Sequence, residues 1–466
     1  MYIQQLYTNC LSEAAYFIES EGEVAIIDPL RDIDIYIKMA SEKKAKIKYI
    51  FETHFHADFV SGHIDLAEKT GAQIIYGPDA KTSFSKHMAK DGEEFTLGKC
   101  TFRVLHTPGH TLESSCYLLL DEHGVPNSLF SGDTLFVGDV GRPDLFSGNL
   151  SSEELAEQMY HSLEKIKRLP DYVKVYPAHG PGSSCGKNLG PNTHSTIGEE
   201  KATNYAMQNQ TIEEFVEVVT EGLNAPPAYF PINAKINKDG YDSIDLIIKN
   251  GMRALSIEEV KKEIADDTIL LDTRKSTVFT EGFIPTSINI GLEGRFAEWA
   301  ATMLPFHSKI MLLTDDGKEE ETIIRLARVG FDKIIGFVKG GFESWKTANE
   351  LIDLIIDIDA DELLMDLNYD YKMIVLDVRK ELEFDNGHIK TALNIPLQTM
   401  TDLTNIAAFE DTDNIYIHCA GGYRSVIAAS ILKKQGIHNV RNVLGGFDAA
   451  KNVPKMPIEV AKETLN

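Results

Sequence analysis

Thr53-His54-Phe55-His56-Ala57-Asp58-Phe59 follows directly on the apolar, strand-like run Ile47-Lys48-Tyr49-Ile50-Phe51. It sets two imidazoles and a carboxylate within five residues. Neutral imidazole and carboxylate oxygen together suit zinc, iron or manganese. If the backbone stays extended, the alternation aims His54, His56 and Asp58 to one side. A single His-x-His is equally compatible with a polar surface loop, so the reading depends on what the rest of the chain supplies.

Three later stretches supply the same kind of ending. His106-Thr107-Pro108-Gly109-His110 follows Thr101-Phe102-Arg103-Val104-Leu105, and Ser131-Gly132-Asp133-Thr134 follows Ser128-Leu129-Phe130. Pro177-Ala178-His179-Gly180 follows Tyr172-Val173-Lys174-Val175-Tyr176. Each apolar run ends in a His or Asp beside a Gly, as strands do when they deliver ligands from loops at one edge of a rigid sheet.

This order resembles the metallo-β-lactamase superfamily, whose signature is H-x-H-x-D-H followed by a distal His, a bridging Asp and a last His. The resemblance covers roughly residues 1–245 and implies a layered αββα sandwich. It departs at Phe59, where the signature has its third His, and a phenyl ring offers no lone pair. In the superfamily that His builds a second metal position with Asp58 and His179, so its loss implies one metal ion per chain. His54, His110 and Asp133 then form a two-His, one-carboxylate set with open positions, which suits non-haem Fe(II) and O₂. The run from Gly132 to Asp144, GDTLFVGDVGRPD, is similar to the persulfide dioxygenase branch of the superfamily. That likeness implies that His56 and His179 lie beside the ligands without binding, and Asp58, Arg142 and Cys185 are expected near the metal or on the substrate side.

At 466 residues the chain is expected to hold about three domains of the usual ~100–200 residues. Its 43% hydrophobic and 25% charged composition is that of an ordinary globular protein. The net charge of −25 argues against nucleic acid or an anionic membrane surface as partner. The N-terminus lacks the basic and apolar regions of a signal peptide, and no run approaches ~18 apolar residues, so a cytoplasmic location is expected. Cys10, Cys100, Cys116, Cys185 and Cys419 are few, odd in number and free of CxxC spacing, which fits a reducing compartment.

Residues 1–30 read as two strands around Ser20-Glu21-Gly22-Glu23, with Asp28 expected under the metal loop. Helical patterns at about 32–44, 61–70 and 151–168 alternate with the ligand-bearing strands, as an αββα arrangement requires. The Gly-, Ser- and Pro-rich stretch from His179 to Pro191 reads as a loop, in which Cys185 is placed either to meet a thiol substrate or to pack as an inert thiol. Thr196 to Gly222 reads as helical, and Ala225-Pro226-Pro227-Ala228-Tyr229-Phe230-Pro231 closes the domain.

Beyond about residue 252 the chain repeats itself. Leu271-Asp272-Thr273-Arg274 recurs as Leu376-Asp377-Val378-Arg379, Gly282-Phe283-Ile284 as Gly387-His388-Ile389, Asn289-Ile290 as Asn394-Ile395, and Gly340-Gly341-Phe342 as Gly445-Gly446-Phe447. Positions 272 and 377, 282 and 387, 289 and 394, and 340 and 445 are each separated by 105 residues. The pattern resembles the rhodanese sulfurtransferase family.

The second copy carries the chemistry in Ile417-His418-Cys419-Ala420-Gly421-Gly422-Tyr423-Arg424-Ser425, before the helical Val426 to Leu432. A thiol at the end of a buried strand and the start of a helix faces backbone N–H groups and the helix dipole, which favours thiolate or persulfide. Cys419 to Arg424 is C-x4-R, shorter than the C-x5-R loop that wraps a phosphate, and so favours a sulfane sulfur. Cys419 and Arg424 are therefore the candidate catalytic residues, with Ala420, Gly421, Gly422, Tyr423 and Ser425 as the sulfur-binding loop. In the first copy Thr314 stands where Cys419 does and Glu319 where Arg424 does, within the acidic run Asp315 to Glu321. That copy is expected to be inactive.

The whole is similar to a persulfide dioxygenase/rhodanese fusion: residues 1–245 a dioxygenase domain, 253–350 an inactive rhodanese-like domain and 358–466 a sulfurtransferase domain. The resemblance implies one Fe(II) per chain, a small-molecule thiol persulfide and O₂ as substrates, and sulfite or thiosulfate as products, in sulfide detoxification. A homo-oligomer, dimer or tetramer, is expected. Two other readings stand: a dizinc thioester hydrolase of glyoxalase II type fused to a sulfurtransferase, and a non-catalytic sulfur-relay scaffold.

Overall fold

The computed structural model describes residues 1–145, 150–223, 225–410 and 412–460. The chain divides into two compact units, Met1–Leu246 with Ile324–Asp332, and Ile247–Ile323 with Lys333–Asn466.

Two six-stranded sheets make the first unit. One runs in the order Tyr2–Thr8, Glu13–Ser20, Glu23–Ile27, Lys46–Glu52, Gln73–Tyr76, His87–Met88, and the other in the order Ser195–Thr196, Lys174–Pro177, Pro126–Gly132, Ser115–Leu120, Cys100–His106, Glu94–Leu97. Period-two alternation explains why the strand Glu13–Ser20 is apolar on both faces. Ala14, Tyr16 and Ile18 enter the core between the sheets with Phe51, Phe102, Tyr117 and Phe130. Ala15 and Phe17 turn the other way, against Tyr36 and Ala40 of the helix Asp34–Glu42 and Leu66 of the helix His63–Thr70. Behind the second sheet, Ala156, Met159, Leu163 and Ile166 of the helix Ser152–Ile166 cover Leu118, Leu120, Leu129 and Val175. The layers are therefore helix, sheet, sheet, helix.

Two expectations change. Residues 1–30 form three strands, because the short turn at Asn9–Ser12, with Ser12 at φ 51°, folds Glu13–Ser20 back on Tyr2–Thr8 in a full antiparallel register. The stretch 196–222 is broken into Ile197–Thr203, the 3₁₀ turn Tyr205–Met207 and Ile212–Thr220. Thr196, Asn204 and Thr211 each cap a new start by accepting a backbone N–H, which a continuous helix could not allow.

In the second unit the two copies repeat the same sheet order and the same strand-end hydrogen bonds. Each has a five-stranded parallel sheet, Ala254–Leu255, Ile334–Val338, Ile310–Leu313, Ile269–Asp272, Ile288–Asn289 in the first, and Ile356–Ile358, Val440–Val443, Asn414–His418, Met373–Asp377, Leu393–Asn394 in the second. Arg274 grips Asp272 and the Gly282 carbonyl, as Arg379 grips Asp377 and the Gly387 carbonyl. Asn289 donates to the Asp272 and Arg274 carbonyls, and Asn394 to those of Asp377 and Arg379. The two copies lie together in the second compact unit, apart from Ile324–Asp332 of the first. Tyr423 Oη donates to the Gly291 carbonyl, Asn289 N to Ser430 Oγ and Lys433 to Asp353. Among the described residues no helix is long and apolar enough to cross a membrane.

Gly132 ends the strand Pro126–Gly132 at φ 54°, and a Cβ there would come within 2.6 Å of Thr53 Cβ. Gly132→Ala should lower unfolding free energy by about 2 kcal/mol in urea melts, combining left-handed backbone strain with overpacking. An unchanged midpoint would show that the turn before Asp133 relaxes freely.

Candidate active site

The loop after the strand Lys46–Glu52 is held from several sides. Thr53 donates its N–H and its hydroxyl to the two carboxylate oxygens of Asp28, at 2.8 and 2.9 Å. Phe55 N donates to Glu113 Oε1 at 3.0 Å. Asn237, from the helix Phe230–Asp239, donates to the carbonyls of His56 and Phe59 and accepts from Ser61 N, at 2.8, 2.7 and 2.9 Å. These bonds hold the loop so that His54, His56 and Asp58 supply two neighbouring donor groups, with the His54 and His56 ring centroids 4.2 Å apart. His54 joins one donor group and His56 and Asp58 another. Asn237 escaped the sequence reading, since a lone Asn in a polar helix gives no signal until its 180-residue loop closure is seen.

In the first group, ligand atoms of His54, His110 and Asp133 lie within 4.8 Å of one another and all three side chains are buried. His110 Nε2 is 3.3 Å and His54 Nε2 3.7 Å from Asp133 Oδ2. Both rings are set by their other nitrogen. His110 Nδ1–H donates to the Arg142 carbonyl at 2.8 Å. The Thr53 hydroxyl hydrogen is used on Asp28, so His54 Nδ1–H donates to Thr53 Oγ1 at 2.9 Å. Each Nε2 lone pair is left facing Asp133, and burial, then the neighbouring His56, His110 and His179, hold the His54 imidazole neutral by lowering its pKa well below the usual value. Among the described residues neither Asp133 oxygen has a hydrogen-bond donor. A buried carboxylate left this way is costly, and donors 3.3–3.7 Å apart suit bonds of about 2.0–2.2 Å to one shared cation, so the residues fit a metal ion.

A second group lies beside it. His179 Nε2 is 3.5 Å from Asp58 Oδ2 and 3.6 Å from Asp133 Oδ1, with Nδ1–H donating to the Ser12 carbonyl at 3.1 Å. His56, Asp58 and His179 are within 4.8 Å of one another. Phe59 is fully buried with its ring centroid 4.3 Å from that of His56. The loss of a His at 59 therefore leaves three candidate donors of the second position together. His56 also faces Asp28, Nε2 to Oδ1 3.1 Å, which places Asp28 under the loop.

Cys185 is buried with Asp133 and His179 within 4.8 Å, and burial, then Asp58 and Asp133, push its thiol well above the usual range. Arg142 pairs in two bonds with Asp144, 2.9 and 2.7 Å, so its backbone serves the site: its carbonyl fixes His110 and its N–H donates to the Cys185 carbonyl. Buried Asp139 joins the two loops, accepting from Lys187 N, Asn188 N and Tyr205 Oη. Gly138, Arg142, Lys187, Asn188 and Tyr205 line a cleft of about 450 Å³.

In the second unit Cys419 follows the strand Asn414–His418 and is buried. Gly422 N donates to its sulfur at 3.1 Å, and Ser425 Oγ lies 3.8 Å away, where the helix Tyr423–Lys434 begins. Arg424 makes two bonds to Glu383, 2.7 and 2.8 Å, and Tyr423 Oη donates to the Gly291 carbonyl. The Arg424 bonds hold the Glu383 carboxyl below its usual range. Ala420 and Gly421 bridge the turn, the Ala420 carbonyl accepting from Asp448 N. Thr314 occupies the matching place after the strand Ile310–Leu313.

An αββα sandwich with His and Asp donors at one edge, followed in the chain by two parallel-sheet copies of which the second has a cysteine at a helix start, is the arrangement of a metal-dependent enzyme. The metallo-β-lactamase superfamily model matches residues 8–179, and the rhodanese-like domain model matches 256–348 and 359–452. A crystal structure of a metallo-β-lactamase from Staphylococcus aureus subsp. aureus COL is 35% identical, covering 73% of this chain and 98% of that chain with TM-score 0.63. ETHE1 from Myxococcus xanthus is 32% identical, covering 51% of this chain and 100% of that one with TM-score 0.43. A hydroxyacylglutathione hydrolase from Tolumonas auensis is 36% identical over 168 residues, 35% of this chain. The chain spans 60% of the length of that relative. The protein belongs to the metallo-β-lactamase superfamily and carries two rhodanese-like domains behind that domain.

His54→Ala, His110→Ala and Asp133→Ala should each strip the tightly bound metal, read by elemental analysis of folded protein, since each removes one of three donors. Wild-type metal content in any of the three would reject that donor.

Proposed function

We propose that this protein is a persulfide dioxygenase coupled to a sulfurtransferase. The observation that carries the reading is the pairing, in one chain, of a buried two-His, one-carboxylate set with a cysteine whose sulfur accepts a loop N–H. A ferrous ion held by His54, His110 and Asp133 would supply open coordination positions and redox chemistry toward O₂. The overall conversion balances as RSSH + O₂ + H₂O giving RSH, sulfite and two protons.

The chain's own residues do the positioning. Thr53 and the Arg142 carbonyl fix which nitrogen His54 and His110 present, and the second donor group keeps two further polar side chains beside Asp133. The cleft bounded by Arg142, Lys187, Asn188 and Tyr205 is where the body of a polar thiol carrier fits. At Cys419 the thiolate attacks the outer sulfur of a persulfide, the S–S bond breaks and the carrier leaves as thiolate. Sulfite then attacks the sulfur now on Cys419, forming the S–S bond of thiosulfate and returning the thiolate. The Gly422 N–H supports the anionic sulfur at both stages.

One alternative has support of its own. The three donors His56, Asp58 and His179 remain together, and the Tolumonas auensis relative is a hydroxyacylglutathione hydrolase, both of which favour a dinuclear thioester hydrolase. Oxygen uptake with a panel of thiol persulfides, set against thioester hydrolysis by the same preparation, decides between them. Persulfide-dependent O₂ consumption with sulfite release is expected, and thioester cleavage without it would overturn the proposal.

Cys419→Ser should leave O₂ consumption largely intact while thiosulfate gives way to sulfite, because a hydroxyl does not form the sulfur-accepting anion. Thr314→Ala, at the matching place in the first copy, should change neither product. Unchanged thiosulfate from the Cys419 variant would move the transfer elsewhere, with Cys185 the first place to look.

A further inference from the structure

Arg328 lies within the sequence of the first rhodanese-like copy, yet the segment Ile324–Asp332 that carries it belongs to the first compact unit. Its guanidinium makes two bonds to Asp32, Nε to Oδ1 at 3.0 Å and Nη2 to Oδ2 at 2.8 Å, and its side chain is only 15% exposed. Its own carbonyl accepts from Val60 N at 2.6 Å. Val60 follows Phe59 and is two residues beyond Asp58; Asp32 is four residues beyond Asp28. One residue therefore holds two of the loops at the metal site, the one bearing His54, His56 and Asp58 and the one bearing the Asp28 that supports Thr53 and His56. Those loops are also joined to each other, by Gly62 N and Ser61 Oγ donating to the Pro29 carbonyl.

We propose that Arg328 is a positioning residue for the metal loop. A planar guanidinium with two parallel bonds fixes orientation as well as distance, and this pair is half-buried, with the Arg328 side chain 15% and the Asp32 side chain 32% exposed. It sets the segment so that the carbonyl meets Val60, and Val60 in turn limits where Phe59 and Asp58 can go. The position is reused between the copies: the residue 105 places later is Lys433, which binds Asp353 in its own unit. In the copy without a cysteine, the same site at the helix end serves the metal domain. This accounts for keeping a rhodanese-like copy that has Thr314 where the thiol belongs. The inference rests on the donor group and not on which reaction the metal performs.

The test uses the full chain. Metal-free protein is titrated with Zn(II) against a chromophoric chelator, and with Co(II) while its visible bands are recorded. Arg328→Ala and Asp32→Asn should each weaken Zn(II) binding about tenfold, the usual scale for groups that orient ligands from behind, and shift the Co(II) bands. The double variant should be no worse than Arg328→Ala, because the two residues share one interaction. Arg328→Lys should recover part of the affinity, and Lys433→Ala should bind as wild type does. Wild-type affinity and Co(II) spectrum in Arg328→Ala, or additive losses in the double variant, would overturn the proposal. If Arg328→Ala does not fold, Asp32→Asn and Arg328→Lys decide it by the same two readouts. Loss of O₂ chemistry under every condition would defeat the dioxygenase reading while leaving these affinities to stand or fall alone.

Discussion

The carboxylate of Asp133 is buried at the junction of the two sheets' loops with no donor for either oxygen among the described residues, and the surrounding site is arranged around that constraint. A carboxylate in that state must be neutralised or shared with a cation. The three imidazoles nearest to it answer the need in one way. His54, His110 and His179 each spend Nδ1–H on an oxygen behind them, Thr53 Oγ1, the Arg142 carbonyl and the Ser12 carbonyl, and turn Nε2 inward. Those three oxygens come from different loops, so the site cannot form until both sheets have closed on each other.

The rigidity of the metal loop has the same distributed origin. Asp28, Glu113, Asn237 and the Arg328 carbonyl take or give its backbone bonds from four separate parts of the chain. A ten-residue irregular loop buried between layers would otherwise carry unsatisfied backbone groups. Ligand orientation and loop satisfaction are thus met by one network, and a change at any member reaches the metal donors through one hydrogen bond.

The second unit shows the separation of scaffold from chemistry. The Asp–Arg–Gly carbonyl grip and the Asn that caps two strand-end carbonyls are the same in both copies, because they hold a parallel sheet together whatever the loop beyond it does. The loop beyond the strand Asn414–His418 differs from its counterpart. Cys419 receives a backbone N–H at its sulfur where the first copy has Thr314 and a run of acids. Arg424 is turned to Glu383 and Tyr423 to Gly291, so the first copy contributes a contact to the active loop of the second.

Local pattern determined a large share of this. Strands ending in His or Asp beside Gly, the 105-residue repeat and the C-x4-R loop are short-range features, legible because each depends on a few neighbouring residues and on the two-residue period of a strand. The strand-by-strand placement of His54, His110, Asp133 and Cys419 followed from them. Tertiary structure alone decided which donors share a group, since the loop from Thr53 to Ser61 is held by partners 25 to 268 residues away. It also decided that Asn237 and the Arg328 carbonyl bond the metal loop and that the Arg142 carbonyl fixes His110. A hydrogen bond across that sequence distance has no period and no motif, and it exists only after the chain has closed the loop that brings its two ends together.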